Sequence, residues 1–173
     1  MAKSTNRLSP WKLPVMAKKI AADLTEVVAS AELSDWFSQA HEHASSEEAG
    51  AHAEACTELS DLLSAAVSEA PLGGELTAGI ACVCSTKNEK DARLFVGSRQ
   101  GMMLFGIVVD DLGVGIVDGT LLDEELTLSI RYLTTPFTSA KWALQRAPNG
   151  WKGKRTVGEA RRAGGAVTIT AGP

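Results

Sequence analysis

The sequence lacks any long hydrophobic run. No apolar stretch approaches the roughly 20 residues that a transmembrane helix needs, and the N-terminus carries no apolar signal-peptide segment. We therefore expect a cytoplasmic protein that has no membrane partner. Aromatic residues are scarce too, at 5% of the 173 residues, whereas hydrophobic residues reach 45% and charged residues 22%. This balance is typical of one globular domain and excludes a disordered chain.

Cysteine is rare, and its count is odd. Cys56, Cys82 and Cys84 follow no spacing of a disulfide framework, which favours a reducing compartment. On a strand, Cys82 and Cys84 would lie on the same face, where buried thiols act as small hydrophobic groups. A single residue between them is too few for the usual zinc spacing.

Familiar catalytic motifs are missing as well. The chain has no Gly-x-Ser-x-Gly elbow and no Walker sequence, and the glycines at 113 and 115 lack the third glycine of a dinucleotide site. His52 and Glu54 match the first half of a zinc-deaminase signature, but the Pro-Cys-x-x-Cys half is absent. We therefore lean towards a protein that is not an enzyme and expect no cofactor. A metal-dependent enzyme of unknown type is our third hypothesis.

Two groups of residues contain side chains that bind metals in other proteins. His41, His43, His52 and Cys56 are ligands of the kind that suits zinc, and the last two lie four apart on a helix. A group of carboxylates could hold Mg²⁺ or Ca²⁺. Its members are Asp110, Asp111, Asp118, Asp123, Glu124 and Glu125. Because a core role for the cysteine and turn roles for the aspartates explain these residues, we assign no metal site.

Charge is distributed unevenly along the chain. The net charge of −4 divides into +5 for residues 1–19, −12 for 20–86, +2 for 87–99, −6 for 100–130 and +7 for 131–173. The two ends are therefore basic and the middle is acidic. Either the ends pack on the acidic middle, or they present a basic surface to an acidic partner.

The basic C-terminal segment is our candidate for a site that binds a partner or a phosphate. Cations attract phosphates and carboxylates, and indole rings stack on unpaired bases or on guanidinium groups. Gly150 and Gly153 flank two of the candidates, so this part of the chain could approach a partner closely. The candidate residues are Lys141, Trp142, Arg146, Trp151, Lys152, Lys154, Arg155, Arg161 and Arg162.

Hydrophobic periodicity predicts a single α+β domain over residues 14–173, preceded by a basic arm over residues 1–13. Residues 14–70 should form a layer of three helices, the first beginning at Pro14 and the last running to about Ala70. The layer should pack on an antiparallel meander of about five to six strands within residues 76–173.

Within the sheet half, alternation and turn residues predict the individual elements. Residues 102–109 read as a strand buried on both faces, and residues 126–132 as a strand with one wet face. Asp110–Gly113 and Asp118–Gly119 read as hairpin turns. A helix should follow over 136–147, and a short helix should end at Gly164–Gly165 before an edge strand at 167–169.

The leading functional hypothesis is a non-catalytic interaction or assembly protein. It would use segregated acidic and basic surfaces for self-association or for docking to a protein partner. The alternative is a nucleic-acid-associated protein that uses the Trp/Lys/Arg-rich C-terminal segment, although the sequence pI of about 5.4 counts against non-specific binding.

Overall fold

Eight antiparallel strands follow one another in sequence order and close into a barrel, because the last strand pairs with the first. The computed structural model describes residues 13–29, 33, 35, 49–73, 75–87, 91–133, 138–158 and 162–170. The strands are β1 Ala81–Ser85, β2 Ala92–Gln100, β3 Met103–Asp110, β4 Gly113–Leu122, β5 Glu125–Tyr132, β6 Ser139–Ala147, β7 Gly150–Val157 and β8 Arg162–Thr170. The helices are α1 Leu13–Ala22, α2 Leu24–Ala29 and α3 Ala49–Glu69.

The expected α+β architecture is therefore wrong. The described chain is mainly a closed barrel with three helices against its outer wall, and the sheet is not an open meander of five to six strands. The error lies in the C-terminal third of the chain, where the sequence predicted two helices and an edge strand but the protein forms β6, β7 and β8. With all eight strands paired on both sides, the barrel leaves no open sheet edge.

Within the segment expected to be a helix over 136–147, residues 139–147 form β6, because their apolar spacing fits both periods. Ala140 and Leu144 lie four residues apart, which suits a helix turn and also two strand repeats. Trp142 lies between them and is buried beside them, while Lys141 and Ala143 are exposed. Alternation with a period of two therefore decides in favour of a strand.

The glycine pair that was expected to end a short helix forms a β-bulge instead. The register between β7 and β8 shifts between Lys154 and Thr156, which face Ala166 and Ala163. Gly164 and Gly165 hold the extra residue on β8, and Gly165 adopts a φ of 91°, which favours glycine.

Asp118–Gly119 is not a hairpin turn, which corrects a second expectation. Both residues lie inside β4 and pair with β3 on one side and with β5 on the other. The turn that connects β4 to β5 is at 123–124 instead. The other expected hairpin turn, at Asp110–Gly113, is confirmed between β3 and β4.

The wall of the barrel separates two apolar cores. One core fills the interior, so the barrel is packed rather than hollow. The other lies between the helices and the outer face of the wall, and β3 contributes to both, which confirms that this strand is buried on two faces. The larger interior side chains are Leu94, Leu104, Val108, Val117, Leu126, Leu128, Ile130, Tyr132, Trp142, Leu144, Trp151, Val167 and Ile169.

The outer core depends on a close approach between α2 and β2. Gly97 faces Val28, and a Cβ atom on Gly97 would lie 2.3 Å from the Val28 Cγ1 atom. A larger side chain at this position would push α2 away from the barrel.

The N-terminal helices differ in part from the expected pattern. The helix expected from Pro14 is interrupted at Asp23, whose carboxylate accepts a hydrogen bond from the Glu26 N–H at 3.3 Å and so caps α2. Val15, an apolar residue in the first turn of α1, is exposed. The long third helix is confirmed as α3. Most of the expected second helix and of the arm over residues 1–13 lies outside the described residues.

Candidate functional site

The two tryptophans of the predicted binding segment lie inside the barrel. Trp142 is 0% exposed and Trp151 is 4% exposed, and both belong to the interior core. Their indole rings are therefore not accessible for stacking on the bases of a nucleic acid.

Arg155, a third member of that segment, is internal as well and is paired with two carboxylates. Its Nη1 and Nη2 atoms donate to the Oδ1 and Oδ2 atoms of Asp111 at 2.8 and 3.2 Å. Its Nη1 atom also lies 3.6 Å from Asp110 Oδ2, and its Nε donates to the Gly164 carbonyl at 3.2 Å. Arg155 therefore binds the acidic turn of its own chain.

The carboxylates around Arg155 are held by further hydrogen bonds. Tyr132 donates its hydroxyl to Asp110 Oδ2 at 2.6 Å, and the Leu112 N–H donates to Asp110 Oδ1 at 2.9 Å. Thr86 donates to Asp111 Oδ1 at 2.8 Å. Burial raises the pKa of Asp110 above its ordinary value, although these donors and the Arg155 charge oppose the rise. Because the polar groups satisfy one another, we assign this network a structural role.

The cysteines are unsuited to nucleophilic or redox chemistry. Cys82 and Cys84 share a face of β1, as the one-residue spacing predicted, and that face lines the barrel interior; Cys56 lies on the buried face of α3. Burial raises the pKa of the Cys56 and Cys82 thiols to about 11, and burial raises that of Cys84 as well. Thiolates are the reactive and metal-binding form, so these thiols are inert at neutral pH.

Neither candidate metal group is assembled by the described residues. Among those residues no three or more His, Cys, Asp or Glu side chains lie close enough to hold an ion. Asp110 lies inside the barrel and Asp118 faces outwards from the middle of β4. His41, His43 and the side chain of His52 lie outside the described part of the structure.

Three lysines of the predicted segment share the outer wall of the barrel. Lys141 on β6 and Lys152 and Lys154 on β7 alternate with the buried side chains of those strands and are exposed. We refer to these three residues as the lysine face. The pairing of β6 with β7 sets Lys154 opposite Ala143 and Lys152 opposite Gln145, so the three charges lie on neighbouring positions.

The lysine face has no acid on its own strands. The described residues of β6, β7 and β8 include no Asp or Glu, and no ion pair involves the three lysines within the described part of the chain. No acid on these strands therefore balances the three charges, although Glu125 on the neighbouring strand β5 pairs with Gln145, which lies opposite Lys152.

The acidic counterpart lies on the far side of the barrel. Helix α3 contains no basic residue, and its side chains Glu58, Asp61 and Glu69 are exposed. We refer to these three residues as the acidic face. The helices cover β2, β3 and β4, whereas the lysine face lies on β6 and β7, about halfway round the strand order. The molecule is thus polarised across the barrel.

The remaining arginines of the predicted segment are separate from the lysine face. Arg146 lies at one mouth of the barrel, with its guanidinium carbon 4.6 Å from the centre of the Trp151 ring. Arg162 is exposed at the start of β8, and Arg161 lies outside the described residues. The structure therefore divides the eight described candidates between the interior, the mouth and the outer wall.

Sequence reasoning missed the internal position of Arg155 and the part that Arg99 takes at the barrel mouth. Once β7 is known to be a strand, Arg155 shares the parity of the buried Trp151, which is the signal that places it inside. The contact of Arg99 with the carbonyl of Leu76, 23 residues away, leaves no local trace in the sequence.

Comparison with protein-family models, with curated proteins and with solved structures finds no match for this chain. In the described part of the chain, no helix has both the length and the apolar character needed to cross a bilayer.

Proposed function

We propose that this protein is a non-catalytic assembly protein in which the lysine face of one copy docks on the acidic face of another. The observation that supports the proposal is the group of three exposed lysines on strands that carry no acid, combined with an acidic helix about halfway round the same barrel. Opposite charges on two separate surfaces attract two copies head to tail.

The spacing of the lysines suits a contact that is spread over several charged pairs better than a single ion pair. Lys152 and Lys154 lie two residues apart on one strand, which places their Cα atoms about 7 Å apart. Lys141 pairs with Thr156, one further repeat along the same row. Carboxylates on consecutive turns of a helix, such as Glu58 and Asp61, are spaced to meet such a row.

The geometry of the contact determines the type of assembly. The two faces are different surfaces, so the contact is heterologous and produces a ring or an open chain rather than a closed twofold dimer. We expect the mean mass at low salt to increase with protein concentration beyond that of two copies.

Nucleic-acid binding is the second hypothesis, and the positions of the tryptophans weaken it. With Trp142 and Trp151 inside the barrel, the described residues of the segment that are left for contacts with phosphate are the lysine face, Arg146 and Arg162. Affinity would then depend on charge alone, in a chain whose net charge is −4.

Sedimentation velocity at 50 and 500 mM salt tests the assembly. At 50 mM salt we expect concentration-dependent association of the wild-type protein, and at 500 mM salt we expect dissociation, because screening shortens the range of surface charges. Lys152→Glu with Lys154→Glu should raise the dissociation constant at least about tenfold. Lys18→Glu with Lys87→Glu changes the net charge equally at exposed sites elsewhere and should leave association intact.

A charge swap makes the test specific to the two faces. Glu58→Lys with Asp61→Lys should also abolish association, whereas an equimolar mixture of this variant with the Lys152→Glu, Lys154→Glu variant should restore it. A wild-type monomer at both salt concentrations would overturn the proposal. Binding of labelled single-stranded RNA or DNA, lost in the lysine variant while the protein remains a monomer, would favour the second hypothesis instead.

A further inference from the structure

One mouth of the barrel contains a cavity that the assembly does not use. It has a volume of about 240 Å³ and lies where the segment before β1 crosses the end of the barrel. Residues from that segment and from β2, β4, β6 and β7 line it: Glu75, Leu76, Thr77, Arg99, Leu121, Arg146 and Trp151. Mouths of β-barrels are frequent positions for small-molecule sites.

Two arginines from different strands open onto this cavity, and each is held in place. Arg99 donates through Nη1 to the Leu76 carbonyl at 3.1 Å. Arg146 packs on the face of the Trp151 indole, which is itself almost fully buried. A guanidinium has five N–H donors, so these contacts leave most of the donors of both residues free for a ligand.

The segment that crosses the mouth is anchored as well. Leu76 is buried in the interior core, and the Cys82 thiol donates to the Glu75 carbonyl at 3.6 Å. The wall that faces the arginines is therefore fixed before any ligand arrives, which lowers the entropy cost of binding.

The charge and shape of the lining define the class of ligand. Arg99, Arg146 and Glu75 give the lining a net charge of +1, which suits a monoanion. The planar fork of a guanidinium matches the two oxygens of a carboxylate or a phosphate. The rest of the lining is mainly polar, and its apolar part comes chiefly from Leu121, because Leu76 and Trp151 are almost fully buried. The volume is slightly below the range of about 300–1,000 Å³ found for drug-sized ligands, so the ligand is small.

We propose that the barrel mouth binds a small molecule that joins a carboxylate or phosphate group to a compact apolar body. Arg99 and Arg146 bind the oxyanion, and the apolar body packs against Leu121, the apolar residue of the lining that is only partly buried. Two guanidinium groups on one opening repel each other, and the single Glu75 carboxylate of the lining balances only one of the two charges.

Calorimetric titration with defined probes tests this site. Benzoate and phenyl phosphate carry the expected groups, while benzyl alcohol and benzylamine have the same ring with no charge or with a positive charge. We expect the two anions to bind and the other two probes to show no saturable binding. Comparison of benzoate with phenyl phosphate identifies which oxyanion the mouth prefers.

Variants of the two arginines test whether the anion binds at the barrel mouth. Arg99→Met and Arg146→Met keep the apolar stem and remove the charge, and each should weaken the better anion about tenfold. Arg162→Met removes an exposed arginine at the far end of the barrel and should leave the affinity unchanged. The proposal would be overturned if neither benzoate nor phenyl phosphate showed saturable binding at 10 mM, or if the three variants bound the better anion with equal affinity.

Discussion

Replacement of Arg155 by methionine tests whether the buried charge network stabilises the barrel. The substitution removes the guanidinium and keeps an apolar stem of similar length. It leaves the Asp110 carboxylate, with 0% exposure, and the Asp111 carboxylate, with 14% exposure, without a cation. Removal of one partner from a buried ion pair costs about 3–5 kcal/mol in general.

Because hydrogen bonds to both carboxylates remain, we expect the stability loss of Arg155→Met to lie at the lower end of that range. Tyr132 and Leu112 still donate to Asp110, and Thr86 still donates to Asp111. We therefore expect Arg155→Met to lower the free energy of unfolding by about 3 kcal/mol at pH 7.5. With a denaturant slope of about 2 kcal/mol per M, the urea midpoint should fall by about 1.5 M.

The loss should depend on pH in a defined direction. Without the guanidinium, both carboxyl groups hold a proton to higher pH in the folded state than they do in the wild-type protein. The folded variant then binds more protons than the folded wild type, so the loss of stability shrinks as the pH falls. At pH 5 we expect a clearly smaller difference than at pH 7.5.

Urea unfolding followed by the fluorescence of the buried tryptophans measures these changes. Lys154→Met removes a neighbouring exposed cation and should change stability by no more than about 0.5 kcal/mol. In a double-mutant cycle with Asp111→Asn, the double variant should lose about 1–3 kcal/mol less than the sum of the single losses. An equal effect of Arg155→Met and Lys154→Met, or a loss that does not change with pH, would refute the reasoning.

Two further predictions concern titrating groups inside the barrel. Because burial raises the pKa of Asp110 above 3.8, its contribution to stability declines as the pH rises from 3.8 towards the folded-state pKa. The free energy of unfolding of Asp110→Asn, relative to that of the wild type, should therefore increase as the pH rises through that window, as measured by urea unfolding at pH 4–7. A difference between the two proteins that does not change with pH would contradict this. With a pKa of about 11 for Cys56 and Cys82, about one thiol in a thousand is ionised at pH 8. Mass spectrometry should detect iodoacetamide labelling only after unfolding in urea, and rapid labelling of the native protein would count against this burial.

Elements with one clear period could be predicted from the sequence, and elements that depend on distant partners could not. α3 carries an uninterrupted apolar stripe, and the β3–β4 turn has its Asp-Asp-Leu-Gly signal. Barrel closure rests on pairs such as Cys84 with Ile169, which lie far apart in the chain and leave no local pattern. The local signals alone predict an open sheet with fewer strands.

The candidate site shows the same division. The block charges left two alternatives open, and one of them, packing of the basic end on the acidic middle, is found in one place, at Arg155 and Asp111. They did not distinguish Arg155 from its neighbour Lys154, because charge counting ignores which way a side chain faces. A strand assignment would have separated the two by the alternation of side chains, but the sequence pattern predicted a loop at Lys154 and Arg155, between two helices.

The two proposed sites use different cations, arginines at the barrel mouth and lysines on the outer wall. Arg99, Arg146 and Arg155 make fixed contacts with a carbonyl, an indole ring and a carboxylate, as suits a rigid fork. The lysine face presents flexible, hydrated charges on the outer wall. Attraction between exposed charges acts over several ångströms and is screened by salt, whereas direct hydrogen bonds to an enclosed oxyanion are screened much less. Assembly through the lysine face should therefore disappear at 500 mM salt under conditions in which the barrel mouth still retains its anion, so that salt alone separates the two activities in the wild-type protein.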